Sequence, residues 1–144
     1  MIRRCVSRNG RINENKELVV NCKIFPIVSK SCGFLDRVNA KDKLLSRRRL
    51  ITFSGWCGDV SACVVAKSVI IFFDDVFVAK GSININREDV SSRFCPEFQK
   101  SGFGFSIIVN KEKIINKSFL RAFAILQDKT ACELKYAKGL PFRP

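Results

Sequence analysis

Apolar residues in this chain either alternate with polar ones or run in short blocks, and neither pattern lasts long enough for a helix of ordinary length. Arg49–Trp56 alternates most clearly: Leu50, Thr52, Ser54 and Trp56 fall on one face, with Ile51, Phe53 and Gly55 on the other. Gly102–Val109 does the same, setting Phe103, Phe105, Ile107 and Val109 against Gly104, Ser106 and Ile108. Val64–Phe73 is a longer apolar run and the best candidate for a central strand. Asp74-Asp75 separates it from Val76–Ala79, which reads as a two-residue hairpin. Phe119–Leu126 and Ala131–Tyr136 complete the set of strands, with Gln127–Thr130 as the turn between them. Asp89–Phe94 predicts one helical turn, stopped by Pro96.

The first part of the chain is less regular. Residues 1–17 are polar and basic and read as a mobile arm. Leu18–Val28 predicts a short strand that Pro26 ends or pushes to a sheet edge. Gly33–Val38 is a short extended piece, and Asn39–Lys43 a polar turn. The organisation expected is a basic arm over residues 1–30 with one candidate edge strand, a β-sandwich domain over 31–138, and a tail over 139–144 in which Gly139, Pro141 and Pro144 resist regular structure. Short strands joined by turns, without crossover helices, predict an all-β fold, a sandwich or barrel built from antiparallel sheets.

Composition agrees. Hydrophobic residues make up 47% of the 144, and Phe occurs 13 times, which is material for a real core. Phe, Val and Ile suit a pleated, half-buried surface. The net charge of +13 is uneven, because residues 1–50 hold 13 Lys/Arg against only Glu14, Glu17, Asp36 and Asp42. Such an excess attracts phosphates or an anionic membrane surface without specificity. A solvated face is the preferred reading, as no nucleic-acid motif accompanies it. No stretch of apolar residues is long enough for a transmembrane helix, and no apolar segment of signal-peptide type follows the N-terminus.

Seven cysteines occur without a histidine. None form C-x-x-C, and mixed Cys/His zinc patterns are impossible, so no metal site is expected. The odd, irregular set reads as reduced thiols acting as small core hydrophobes, which points to a reducing, cytoplasmic setting. Without His, the usual Ser-His or Cys-His nucleophile cannot be built. Cys57 and Cys95 remain as candidate reactive thiols, with Arg93 the nearest cation, but an inert buried thiol is preferred. Asp74-Asp75 is better explained by its turn than by paired-carboxylate chemistry, and Glu88-Asp89 by a helix cap or an ion pair with Arg87. No catalytic residue and no cofactor is expected. Arg47-Arg48-Arg49 is the densest cationic run, serving either as a phosphate-contact patch or as charged protection of an edge strand.

Residues from about Gly33 to Tyr136 resemble a recurrent bacterial accessory domain found beside glycosyltransferases and in cell-envelope or polysaccharide-related proteins. The motifs that carry it are Gly33-Phe34-Leu35-Asp36-Arg37-Val38-Asn39, Ser54-Gly55-Trp56-Cys57-Gly58-Asp59, the strand pair around Asp74-Asp75, Arg87-Glu88-Asp89-Val90 and Ser101-Gly102-Phe103. Asp75 in place of the hairpin glycine, and the lack of a proline in Ala62–Lys67, mark a divergent member. The resemblance implies an immunoglobulin-like β-sandwich without a catalytic centre, a binding or spacer module whose partner is a glycosyltransferase or a glycan. Trp56 is then a core plug, or failing that a sugar-stacking platform. Arg87 and Asp89 pin a loop, or hold ligand hydroxyls. Asp59 closes the turn after Trp56. The alternative is a nucleic-acid-associated protein acting through the basic arm.

Overall fold

The structure, a computed structural model, describes residues 10–115 and 117–143. Twelve strands and one short helix follow in order: β1 (Arg11–Ile12), β2 (Glu17–Val20), β3 (Lys23–Val28), β4 (Gly33–Asp42), β5 (Arg48–Asp59), β6 (Val64–Val65), β7 (Ser68–Phe73), β8 (Val76–Ser82), α1 (Glu88–Arg93), β9 (Gly102–Asn110), β10 (Leu120–Ile125), β11 (Ala131–Glu133) and β12 (Lys135–Tyr136). A 3-10 turn, Pro96–Lys100, follows α1. The all-β expectation holds, and the helical turn before Pro96 lies where the sequence places it.

Seven strands close a barrel in the order β1-β2-β3-β11-β10-β7-β8, and a second sheet is built on β5, which pairs with β4, β9 and, at its far end, β6. β12 joins this second sheet beside β4. The continuous apolar run of β7 is explained by this arrangement, because all six of its residues are buried. Ile70 and Phe72 face the barrel interior with Leu18, Val20, Phe123 and Ile125. Val69, Ile71 and Phe73 face the other way and pack with Leu35, Ile51 and Phe53 of the second sheet. A strand covered on both faces has no polar side to show, so its alternation disappears. β5 keeps its alternation: Ile51 and Phe53 are buried between the layers, while Thr52 Oγ1 meets Ser106 Oγ at 2.8 Å on the outer face.

Both tight hairpins use positive backbone angles. Asp74 and Asp75 have φ of 52° and 62°, and Asn21 and Cys22 have 51° and 65°. Both pairs thus have the primed-turn geometry that matches strand twist. Asp74 gains a further contact, as its Oδ1 accepts the Phe119 amide at 2.7 Å. Gly102 lies in close backbone contact with the segment before α1. It exchanges hydrogen bonds with Ile85, and a Cβ there would sit 2.7 Å from the Ile85 carbonyl oxygen.

Three expectations are corrected. The basic arm expected over residues 1–30 lies outside the described residues up to residue 9. From Arg11 to Val28, however, it supplies β1, β2 and β3, which close the barrel. The strand sides explain this: Leu18 and Val20 are buried in the barrel while the intervening residues face outward. Pro26 sits inside β3 rather than ending it, at a point where pairing with β11 has not yet begun. Second, Asn39–Lys43 is not a turn. β4 runs ten residues to Asp42, and the hairpin tip falls at Lys43–Arg47. Third, the tail has no regular structure from Gly139 to Arg143 but is not loose: Leu140 and Phe142 are buried, and Phe142 meets Phe73 edge-on at 5.1 Å. Of the two facing layers, one is part of the closed barrel and the other is the sheet built on β5.

Candidate functional site

Trp56 stands at the outer face of the second sheet, where α1 and the 3-10 turn fold over it. It is 5% exposed and lies 5.1 Å from the Phe94 ring and 6.0 Å from the Phe98 ring. Val90 and Cys95 complete this small core. A sugar-stacking platform must present an aromatic face to solvent, so the core-plug role is the one that the geometry fits.

Beside Trp56, Arg87 holds the corner together. Its Nε and Nη2 donate to the two carboxylate oxygens of Asp89, each at 2.9 Å, and Nη1 donates to Asp36 Oδ2 at 2.7 Å. The planar guanidinium is thereby satisfied on two sides, one fork tying the start of α1 and one arm reaching β4. A shallow depression lined by Phe34, Asp36, Trp56, Arg87, Asp89 and Arg93 marks the spot. Asp36 is the member that sequence reasoning missed as a site residue. Its side chain is brought to Arg87 beside a bulge in β4 between Leu35 and Arg37, which alternation does not reveal.

The hydrogen bonds from Arg87 pull the Asp89 carboxyl down to about 2, from an ordinary value of 3.8. The folded pKa is depressed, so the stabilisation is present above about pH 4 and is lost as pH falls through about 2. Asp89 is 67% exposed, which keeps this contribution below about 1 kcal/mol. A carbon-13 carboxyl titration is expected to give a midpoint near 2 for Asp89, moving back toward the ordinary value in Arg87→Met. An unmoved midpoint in that variant would show that Arg87 is not the cause.

Asp59 ends β5, three residues beyond Trp56. It accepts from Lys30 Nζ at 2.9 Å, from Ser61 Oγ at 2.8 Å and from the Ala62 amide at 3.3 Å. The Lys30 bond leads in holding its pKa below the ordinary value. Asp59 therefore closes the turn after β5, as expected, and additionally anchors the segment before β4. The structure does not bring it together with Arg87.

Arg47, Arg48 and Arg49 do not form one patch. Arg49 turns inward, donating from Nε to Asp42 Oδ1 at 2.8 Å and from Nη1 to the Ile114 carbonyl at 3.0 Å. Arg47 and Arg48 remain exposed, Arg47 only 3.7 Å from an equally exposed Glu112.

Among the described residues, Cys32, Cys57, Cys63, Cys95 and Cys132 are free, while Cys22 is disulfide-bonded, unlike the reduced set expected. Burial pushes the Cys57 thiol far up. Cys95 is raised to about 11, by desolvation first and then by the neighbouring Cys63 thiol. Neither is poised as a nucleophile. Cys132 is drawn down to about 7 by its hydrogen bond with Cys32, yet it is 1% exposed. Cys63 Sγ, Cys95 Sγ and a Glu97 carboxylate oxygen lie within 4.8 Å of one another and are the residues that could hold a metal ion. Sequence spacing gives no hint of that meeting, since Cys63 and Cys95 come from separate loops. Two thiolates and one carboxylate would leave a tetrahedral ion one protein ligand short.

No helix among the described residues is long and apolar enough to cross a membrane. Comparison of the chain with protein-family models, curated proteins and solved structures finds no match in any of the three.

Proposed function

We propose that this chain is a non-catalytic binding or spacer module that works with surface-glycan or glycosyltransferase machinery, built on a divergent immunoglobulin-like sandwich. The carrying observation is that the side chains best suited to a ligand are engaged within the fold. Arg87 is taken up by Asp36 and Asp89, Asp59 by Lys30, and Trp56 by two phenylalanines. That favours spacing over sugar stacking.

The sandwich reading is supported by the facing layers. β4, β5 and β9 form one, stacked through Leu35, Ile51 and Phe53 onto Val69, Ile71, Ala122 and Ala124 of β7 and β10. On this reading β1 to β3 are an addition that wraps the outer side of the second layer.

A glycan array together with a thermal-shift panel of sugars tests the choice. The spacer reading expects no hit and no shift. A sugar that raises the melting temperature of the wild type, but not of Arg87→Met, would replace it with a true ligand site at the Arg87 corner.

A further inference from the structure

The hairpin between β4 and β5 ends in an arrangement that the fold does not use. Leu44 and Leu45 are 91% and 101% exposed, the most exposed of the large apolar side chains among the described residues. The tip is nevertheless ordered by its own hydrogen bonds. The Lys43 amide donates to the Arg48 carbonyl, the Ser46 amide to the Lys43 carbonyl, and the Arg48 amide to Ser46 Oγ. Leu45 has a φ of 58°, a left-handed conformation where Asn or Gly is the usual choice. A turn selected for stability alone would put neither a leucine in that conformation nor two leucines in water.

Cations surround the two leucines. Lys41, Lys43, Arg47 and Arg48 belong to the hairpin, and the Lys111 amide, donating to the Arg47 carbonyl at 2.8 Å, brings in Lys111 and Lys113 from the next loop. The acids here are Asp42, engaged by Arg49 and Lys111, and Glu112, close to Arg47. The end of the second sheet is thus positively charged with an aliphatic point.

We propose that this tip is a docking site for an anionic lipid surface, Leu44 and Leu45 entering the headgroup–acyl boundary while the surrounding Lys and Arg pair with lipid phosphates. Charge complementarity sets the partner, and the chemistry of the apolar group narrows it. Single-stranded nucleic acid is gripped by aromatic stacking, and the tip carries none. Aliphatic side chains flanked by long cations are the composition that interfacial anchors share. Each Lys or Arg near an anionic surface is worth about a fivefold gain in partitioning, and the attraction falls off within a Debye length.

The test is co-sedimentation of the full chain with large vesicles of phosphatidylcholine containing 30% phosphatidylglycerol, against pure phosphatidylcholine. Binding is expected only to the anionic vesicles and is expected to drop as sodium chloride rises from about 0.1 to 0.5 M. Leu44→Ser/Leu45→Ser, which keeps the charge and removes side chains that make no core contact, is expected to lose about tenfold or more. Lys43→Gln/Arg48→Gln is expected to lose a comparable amount and to show a shallower salt dependence. Unchanged melting curves for both variants keep folding out of the comparison. Equal partitioning of the wild type and the serine variant would overturn the proposal, as would no binding to anionic vesicles. Displacement from vesicles by an oligonucleotide that binds the serine variant as well as the wild type would instead assign the patch to nucleic acid. This outcome is separable from the spacer reading, which depends on the Arg87 corner and not on the hairpin tip.

Discussion

Replacing Gly55 with alanine is expected to cost about 4 kcal/mol or more, enough to leave a domain of this size barely folded. A Cβ at this position would lie 2.1 Å from the Phe34 carbonyl oxygen, 2.9 Å from Phe103 Cζ and 3.1 Å from Leu35 Cα. Gly55 is paired with Leu35 on one side and Phe103 on the other, so β4 and β9 both press against it at the centre of the second sheet. The Phe34 oxygen is backbone, and it cannot withdraw without shifting the β4–β5 register that the bulge after Leu35 sets. Gly139→Ala is the matched control. It also loses a glycine, at a φ of 77°, but nothing lies within 4 Å of its Cβ position, so the cost is expected to be about 1 kcal/mol. Urea unfolding followed by fluorescence of Trp56, the single tryptophan, gives both values. A difference below about 1 kcal/mol between the two variants would mean that the strands are not as close as described.

Much of this architecture can be read from residue order, and the parts that cannot have physical reasons. Alternation places β5 and β9 correctly because each has one buried face and one that is more open to water. Asp74-Asp75 marks its hairpin because short polar residues tolerate the left-handed region. The continuous apolar run of β7 is recognisable as a buried strand, but what covers its second face is not. The cover comes from β1 to β3, where Leu18 and Val20 are buried and the outward side mixes Arg11 and Lys23 with Val19 and Ile24, so that no clean alternation marks it. Charge therefore misdirects the reading of residues 11–28: the cations sit on the wet side of strands. Barrel closure is equally hidden, because the β3–β11 pairing joins Ile27 to Ala131 across most of the chain. No local pattern encodes such a partner.

The candidate site divides in the same way. Arg87 and Asp89 are two residues apart, and their pairing is visible as a local motif. The third member, Asp36, comes from a distant strand and becomes relevant only when α1 folds over β4. Trp56 was legible as a core plug because a single large aromatic beside a glycine at a strand end fits the inside of a small domain. The tripled arginine misleads, since neighbours on a strand point in opposite directions and Arg49 is drawn inward by Asp42 and Ile114. What the run did mark is the hairpin, whose unusual residues are the two leucines next to it.

Phe72→Ala is the substitution that weighs most directly on the barrel. Phe72 is fully buried, and its ring meets Phe77 edge-on at 6.3 Å and Phe123 edge-on at 5.6 Å. Leu18, Val20, Ile70 and Ile125 share that interior, and most of the group projects from strands hydrogen-bonded around the ring. Hydrogen-bonded strands collapse poorly around a void, so the lost transfer energy and the residual cavity both count, and a cost of about 3–5 kcal/mol is expected. Were residues 11–28 a detached arm, the side of β7 carrying Phe72 would be open to water, and truncating the ring would cost far less. A measured loss below about 1 kcal/mol in urea unfolding would therefore show that β1 to β3 do not close over β7. Hydrogen exchange supplies the companion reading. The amides of β2 and β3 are expected to be protected together with those of β7 in the wild type, and Phe72→Ala is expected to release them first, because these short outer strands depend on the filled interior for their hold on the rest of the fold.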